Sequence, residues 1–286
     1  MSRPDTPGTP PVVLTIAGSD SGAGAGIQAD LKAMSALGVF ATTVVTAVTA
    51  QNTAAVTAVH PVPAAVVAAQ IDAVVDDFTV VAVKTGMLAT AATVQLVADR
   101  AAAGGLPSLV VDPVMVASTG RRLLDTEAVA AYRDRLVPHA LVVTPNLTEA
   151  AILAGVDPVD GADVDDLVGL ARRIRDLGPT WVLVKGGHLP GVHASGPGPA
   201  PDQVADVLLG PDGFEILEAP RVATRNNHGT GCSLASATAA LLARGSDVPG
   251  AVAGAKRFVH GALVGAAGWE LGRGHGPLDP FGWSGR

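Results

Sequence analysis

Residues 12–26 read Val12-Val13-Leu14-Thr15-Ile16-Ala17-Gly18-Ser19-Asp20-Ser21-Gly22-Ala23-Gly24-Ala25-Gly26, and the chain then runs without a glycine to Leu37. The apolar run Val12 to Ala17 predicts a buried strand, and the glycine segment from Ser21 opens a helix through about Leu37. Strand, glycine loop and helix in that order form the first half of a βαβ unit. The loop spacing is Gly-x-Gly-x-Gly, not Gly-x-Gly-x-x-Gly, and no Gly-x-x-x-x-Gly-Lys-Ser/Thr occurs in the chain. Neither a dinucleotide fingerprint nor a P-loop is therefore supported. A tight turn with close helix packing accounts for the glycines. It does not account for Asp30, which is either a solvated face residue or a ligand contact.

Working outward, the same alternation repeats. Thr42 to Ala50 predicts a strand ending at Gln51-Asn52-Thr53, Pro63 to Phe78 a helix, and Val80 to Lys84 a strand ending at Thr85-Gly86-Met87. A helix through Ala103 precedes a strand over Ser108 to Val111, which ends in Asp112-Pro113. Thr126 to Leu136 is a helix and Ala140 to Val143 a strand leading to Thr144-Pro145-Asn146-Leu147-Thr148-Glu149. A helix over Val164 to Leu177 is followed by Trp181 to Val184 and Lys185-Gly186-Gly187-His188. Val204 to Leu209 and Phe214 to Glu218 flank a Gly-Pro-Asp-Gly turn and read as a hairpin. A last helix spans Val248 to Trp269. Polar residues fall repeatedly at the carboxyl ends of strands, where open α/β sheets gather their ligands. The expected fold is a doubly wound α/β sheet with one site along that edge.

At that edge each residue has a plain and a chemical reading. Gln51 and Asn52 either cap a turn or read the donors and acceptors of a heterocycle. Met87 is core or an apolar wall over a flat ligand. Asn146 with Glu149 is a capping box, or a pair that holds hydrated Mg²⁺ near phosphates together with Asp112. Lys185, followed by two glycines, suits a phosphate contact. The clearest chemical stretch is Asn227-His228-Gly229-Thr230-Gly231-Cys232, which leads into an alanine-rich run of helical length. Gly229 to Cys232 then occupy a first helical turn, an anion site by its N–H groups and dipole. Such a position lowers a thiol's pKa, whereas nearby phosphate charge raises it. The residues alone leave that balance open.

Composition narrows the field. The chain has 286 residues, 48% hydrophobic and only 3% aromatic, so its core is built from Ala, Val and Leu. A formal net charge of −7 argues against a nucleic-acid binder and for a small metabolite. One cysteine excludes an internal disulfide framework and fits a reducing cytosol. Residues 33–59 carry no charge, yet their six threonines, Gly38, Gln51 and Asn52 speak for strand, not a membrane span. Residues 1–11 read as a disordered tail without a signal-peptide core, residues 12–276 as one domain and 277–286 as a tail. Ala117 to Arg122 is a candidate lid, and Leu189 to Gln203 a Pro/Gly-rich surface insertion.

Eight blocks, in order, resemble the hydroxymethylpyrimidine/phosphomethylpyrimidine kinases of thiamin synthesis, within the ribokinase-like superfamily. They are 14–20, 24–32, 48–53, 84–88, 111–115, 144–150, 184–188 and 228–232, and they span most of the chain from Val12 to about Gly276. The resemblance implies a three-layer α/β/α sandwich with a mostly parallel sheet, acting with ATP and Mg²⁺ in the cytoplasm, as a homodimer. It implies phosphorylation of an aminopyrimidine alcohol and then of its monophosphate. Gln51 and Asp30 would bond the ring, with Gly18 and Met87 lining its pocket. Gly229, Thr230, Gly231 and Cys232 would form the anion hole, Cys232 standing where most sugar kinases of the superfamily carry an Asp base. Asn146, Glu149 and Lys185 would meet phosphates, and Asp112 with Glu149 the metal through water. Relatives usually carry glycine where this chain has Ala23. The nearest alternative is a pyridoxal kinase, in whose mechanism a lid cysteine takes part; 115–120 has none here. A non-catalytic regulator on the same fold is a more distant one.

Overall fold

A computed structural model describes residues 8–115, 126–157, 162–187 and 203–285. The expected N-terminal tail is thus described only from Gly8, and the candidate lid and His188 fall outside, as does all of the 189–203 insertion but Gln203.

The opening unit forms as the pattern predicts. β1 spans Val12–Asp20 and α1 Gly26–Ala36. β2 (Phe40–Gln51) lies parallel to β1, and on β1's other side lies β4 (Val80–Thr85), also parallel. β5 (Val110–Val111), β6 (Val142–Val143) and β7 (Trp181–Lys185) extend the parallel sheet. β3 (Val56–Pro61) adds an antiparallel edge beside β2, and the hairpin β8 (Gln203–Gly210) and β9 (Gly213–Pro220) closes the other edge. The nine-stranded order is β3-β2-β1-β4-β5-β6-β7-β8-β9. The chain reverses direction across the sheet at β1 and β4, so the crevice for a ligand opens above those two strands.

Two faces of the sheet are covered, and the strands alternate accordingly. Leu14, Ile16, Val83, Val111, Val143 and Val184 pack under α2 (Ala64–Asp77), α3 (Ala91–Ala102), α4 (Thr126–Ala131), α5 (Leu147–Ala154) and α6 (Val164–Arg175). Val13, Ala82, Val110, Val142 and Leu183 pack under α1, α7 (Thr230–Ala243) and α8 (Val248–Ala266). Each such Val or Leu, removed from water, contributes roughly 1.5–3 kcal/mol before the entropy cost of ordering. α7 is buried almost continuously from Ser233 to Ala240; its alanines let the helix lie close to the strand ends below it.

Three expectations need correction. The charge-free run 33–59 contains a second strand, β3, because Asn52 Oδ1 accepts from the N–H groups of Ala54 and Ala55 and turns the chain back. Asn52 therefore serves the turn. The helix from Thr126 widens after Ala131 into a π turn at Tyr132–Leu136. The segment after Gly276 is not a loose tail: Leu278 and Asp279 are buried, and Asp279 accepts from the N–H groups of Trp283 and Ser284. No described helix is long and apolar enough to cross a membrane.

Candidate active site

α7 begins where two constraints require glycine. Gly229 has φ +85°, and a Cβ on it would collide with the Gly24 carbonyl oxygen. The tight approach brings the glycine loop after β1 against the first turn of α7. A Cβ on Gly24 would strike the His228 ring, and one on Gly26, at φ +59°, the Gly18 carbonyl. Of the Gly-x-Gly-x-Gly positions, Gly24 is set by this contact with the turn and Gly26 by the close approach to β1. Ala23 also sits in the left-handed region at φ +58°.

Lys185 arrives at the same turn from the end of β7. Its Nζ stands 3.2 Å from where a Cβ of Gly231 would be, with Asp112 Oδ2 at 3.8 Å. Lys185 pairs with Asp112 Oδ1 at 3.1 Å, and Thr144 Oγ1 donates to the same oxygen at 3.3 Å. Although burial opposes the charge, Asp112 and Glu149 hold the Lys185 ammonium above its ordinary pKa. Behind it, Gly186 N–H donates to Asp206, which pairs with Lys256 at 2.7 Å. The first turn of α7, at Gly231, therefore lies beside the Lys185–Asp112 pair, which puts a helix N-terminus and a point cation side by side.

Asn146 and Glu149 form the full capping box: Glu149 N–H donates to Asn146 Oδ1 and Asn146 N–H to Glu149 Oε2, both at 2.9 Å. Glu149 is nevertheless chemically poised. Burial pushes its carboxyl up to about 7, with Lys185 pulling down and Asp112 pushing up. Two buried carboxylates, Asp112 and Glu149, suit a hydrated divalent cation, which needs few direct protein ligands. Among the described residues no three metal-ligating side chains cluster, so any such ion rests on Asp112, Glu149, water and substrate phosphates.

Asp30 departs from its expected role. It is wholly buried, and its carboxylate takes four hydrogen bonds, two from Lys84 Nζ at 2.8 and 2.9 Å, and one each from Thr15 and Ser236 hydroxyls at 2.6 Å. Both oxygens are occupied, so Asp30 organises the floor and does not face a ring directly. Ser236 lies one helical turn after Cys232 on the same face of α7, which sets the Asp30–Lys84 pair beneath the thiol. Despite burial, Asp30, Cys232 and Asp112 keep Lys84 charged, with its pKa raised.

At part-buried Cys232 the balance that the sequence leaves open is tipped upward. Burial wins over the helix end and pushes the thiol up to about 11, although Lys84 and the Gly26 N–H act in the opposite sense.

Gln51, at the end of β2, is part-buried and reaches His228; its backbone exchanges bonds with Ser21 Oγ at 2.7 and 2.8 Å. Gly18 and Met87 touch: a Cβ on Gly18 would overlap the Met87 methyl. Gln51, Gly18 and Met87 thus belong to the loop side of the crevice, and Cys232 to the turn side. Sequence reasoning assigned no role to Asp20, His228, Lys84 or Ser236. Three of these lie inside quoted blocks, Asp20 at the strand end, Lys84 at the start of 84–88 and His228 directly before Gly229; the pairing of Lys84 with Asp30 spans 54 positions and leaves no local pattern.

A helix N-terminus and a strand-end lysine brought against a glycine loop at the switch point of this sheet are the layout of a ribokinase-like kinase. The chain belongs to the phosphomethylpyrimidine kinase family, whose model matches residues 20–279. It is 49% identical over 284 residues to the hydroxymethylpyrimidine/phosphomethylpyrimidine kinase of Streptomyces coelicolor, covering 99% of each chain. Among solved structures it resembles the phosphomethylpyrimidine kinase of Clostridium difficile 630, at 37% identity and TM-score 0.74, covering 88% of this chain and 99% of that one. It also resembles the pyridoxal kinase of Staphylococcus aureus in complex with AMP-PCP and pyridoxal, at 33% identity and TM-score 0.84, covering 96% and 95%.

Proposed function

We propose that this chain transfers the γ-phosphoryl group of ATP to the hydroxymethyl oxygen of 4-amino-5-hydroxymethyl-2-methylpyrimidine, and then phosphorylates the monophosphate to the pyrophosphate, for thiamin synthesis. The observation that supports the reading is the meeting of the α7 turn with the Lys185–Asp112 pair, a Cβ on Gly231 coming within 3.2 Å of Lys185 Nζ. Phosphoryl transfer passes through a loose transition state and needs mostly positioning and charge stabilisation. In this reading the N–H groups of the α7 turn meet the oxygens of the phosphoryl group in flight. Lys185 neutralises them, exchanging part of its bond to Asp112 for the phosphate. Gln51 bonds the ring edge while Gly18 and Met87 bracket its face, and the hydroxymethyl group points to Cys232.

Asp112 and Glu149 would hold Mg²⁺ through water, and Asn146 would contact the nucleotide phosphates; the ion supplies charge neutralisation of the phosphates. With the thiol raised to about 11, only a small thiolate fraction is present at neutral pH to accept the hydroxyl proton. We also place the protein in the cytoplasm as a homodimer, a state that sedimentation tests directly.

The likeness to pyridoxal kinase keeps a second substrate in view. Cys232 is the chain's one cysteine, so a mechanism with a lid cysteine is not open to it, and the closer sequence likeness is to the pyrimidine kinases. A coupled ADP-release assay offering hydroxymethylpyrimidine, pyridoxal and ribose separately at equal concentration decides. Preferred use of the pyrimidine, followed by its pyrophosphate, is expected; preference for pyridoxal would sink the assignment.

A further inference from the structure

His228 is not needed for the anion cradle, yet it is buried against the residue that reads the ring. Its Nε2 lies 3.1 Å from Asp20 Oδ2 and 3.1 Å from the atom placed as Gln51 Nε2, while the atom placed as Gln51 Oε1 lies 3.2 Å from Thr49 Oγ1. An amide's oxygen and nitrogen have nearly the same shape, so their neighbours must assign them.

Two neighbours call for the amide the other way round, oxygen toward His228 and nitrogen toward Thr49. Asp20 accepts from the N–H groups of Gly22, Gly24 and Ala25 at 2.8, 3.1 and 2.8 Å, an arrangement that favours its ionised form. A carboxylate against Nε2 requires the proton on Nε2; a bare nitrogen there would set lone pair against lone pair. That one proton is then shared between Asp20 Oδ2 and Gln51, and of the two amide ends only the oxygen suits an N–H facing it. On the other side, the Thr49 hydroxyl donates to the Ser19 carbonyl at 3.0 Å. Its remaining capacity toward Gln51 is that of an acceptor, and it meets the amide nitrogen.

We infer that His228, locked by Asp20, is a positioning residue that fixes which end of the Gln51 amide is donor and which is acceptor, and so makes the ring pocket select an amino-bearing over an oxo-bearing pyrimidine edge. The inference rests on the proposed substrate. A 4-aminopyrimidine presents an N–H donor beside a ring-nitrogen acceptor, and its 4-oxo counterpart presents the reverse order. The ring cannot turn over to compensate, because its hydroxymethyl group must stay at the α7 turn. Reversing the amide thus exchanges the favoured edge, and a partner mismatched at both atoms is strongly rejected.

The test compares kcat/KM for the 4-amino alcohol and its 4-oxo analogue in three proteins: wild type, His228→Phe, which keeps a ring against Gly24 without a donor, and His228→Gln, which keeps a donor. The amino-to-oxo ratio is expected to fall about tenfold or more in His228→Phe, through KM for the amino substrate and with KM for ATP unchanged, and to be largely restored in His228→Gln. If the phenylalanine variant does not fold, His228→Leu takes its place. A ratio equal in all folded variants overturns the inference, as does an equal fall in kcat for both substrates. A wild type that leaves the amino alcohol untouched removes the functional reading and this inference together.

Discussion

Two lysine–aspartate pairs sit in the same crevice and differ in completeness. Lys84–Asp30 is sealed: neither side chain is exposed, and the carboxylate is filled by Lys84, Thr15 and Ser236. Lys185–Asp112 is open on one side, the lysine side chain 15% exposed and its Nζ held by a single 3.1 Å contact beside Gly231. A buried pair with every bond made is a piece of scaffold. One whose cation still faces an N–H cradle can give up part of its bond when a phosphate arrives. In the proposed reading the contrast separates a charge that shapes the site from a charge that works in it.

The largest way to break the contrast is at the sealed pair. Lys84→Met strands a buried carboxylate and is expected to destabilise the fold by about 3–5 kcal/mol, read as a lowered urea midpoint; Lys84→Met with Asp30→Leu should recover much of that loss. Lys185→Met is expected to do the opposite, lowering turnover by about 10²–10³-fold while the midpoint moves much less. Equal stability losses in the two would erase the distinction.

Between the pairs stands Cys232. Its thiol is raised to about 11, so if the thiolate accepts the proton, kcat/KM rises with pH from 7 toward 10, approaching tenfold per unit. Cys232→Ala should keep ATP binding, lose turnover by a large factor and flatten that rise. Undiminished turnover would take Cys232 out of the proton path. The smallest effect lies outside both pairs. Ala23→Gly removes a left-handed alanine at φ +58° and is expected to raise stability by at most about 1 kcal/mol, visible as a small increase in Tm.

The fold was legible because apolar runs and glycine breaks alternate along almost the whole chain, and because polar residues recur at the strand ends. Lys185, Asp112 and the Gly229–Cys232 turn could be found this way, each being local to one strand or helix end. Asn146 and Glu149 were legible as a pair by their spacing, and the capping bonds are what that spacing makes. What stayed hidden was tertiary. The partner of Asp30 lies 54 positions on, so the sequence showed a lone carboxylate and suggested a ligand. Burial of the thiol depends on how closely α1 and α7 pack, which no periodicity reports. β3 was lost inside a charge-free run because only the Asn52 turn separates it from β2.

The backbone of His228 donates to the Gly276 carbonyl at 3.0 Å, and Asn226 donates to the carbonyls of Ala266 and Trp269. The approach to the anion turn is therefore held by residues that the ribosome adds well after the turn itself. A nascent chain can lay down the sheet and still lack a working site until the stretch around 266–279 has emerged and clasped the turn. Cargo fused close behind Asp279 would pull on that clasp, so a linker there is a matter of catalysis as much as of solubility.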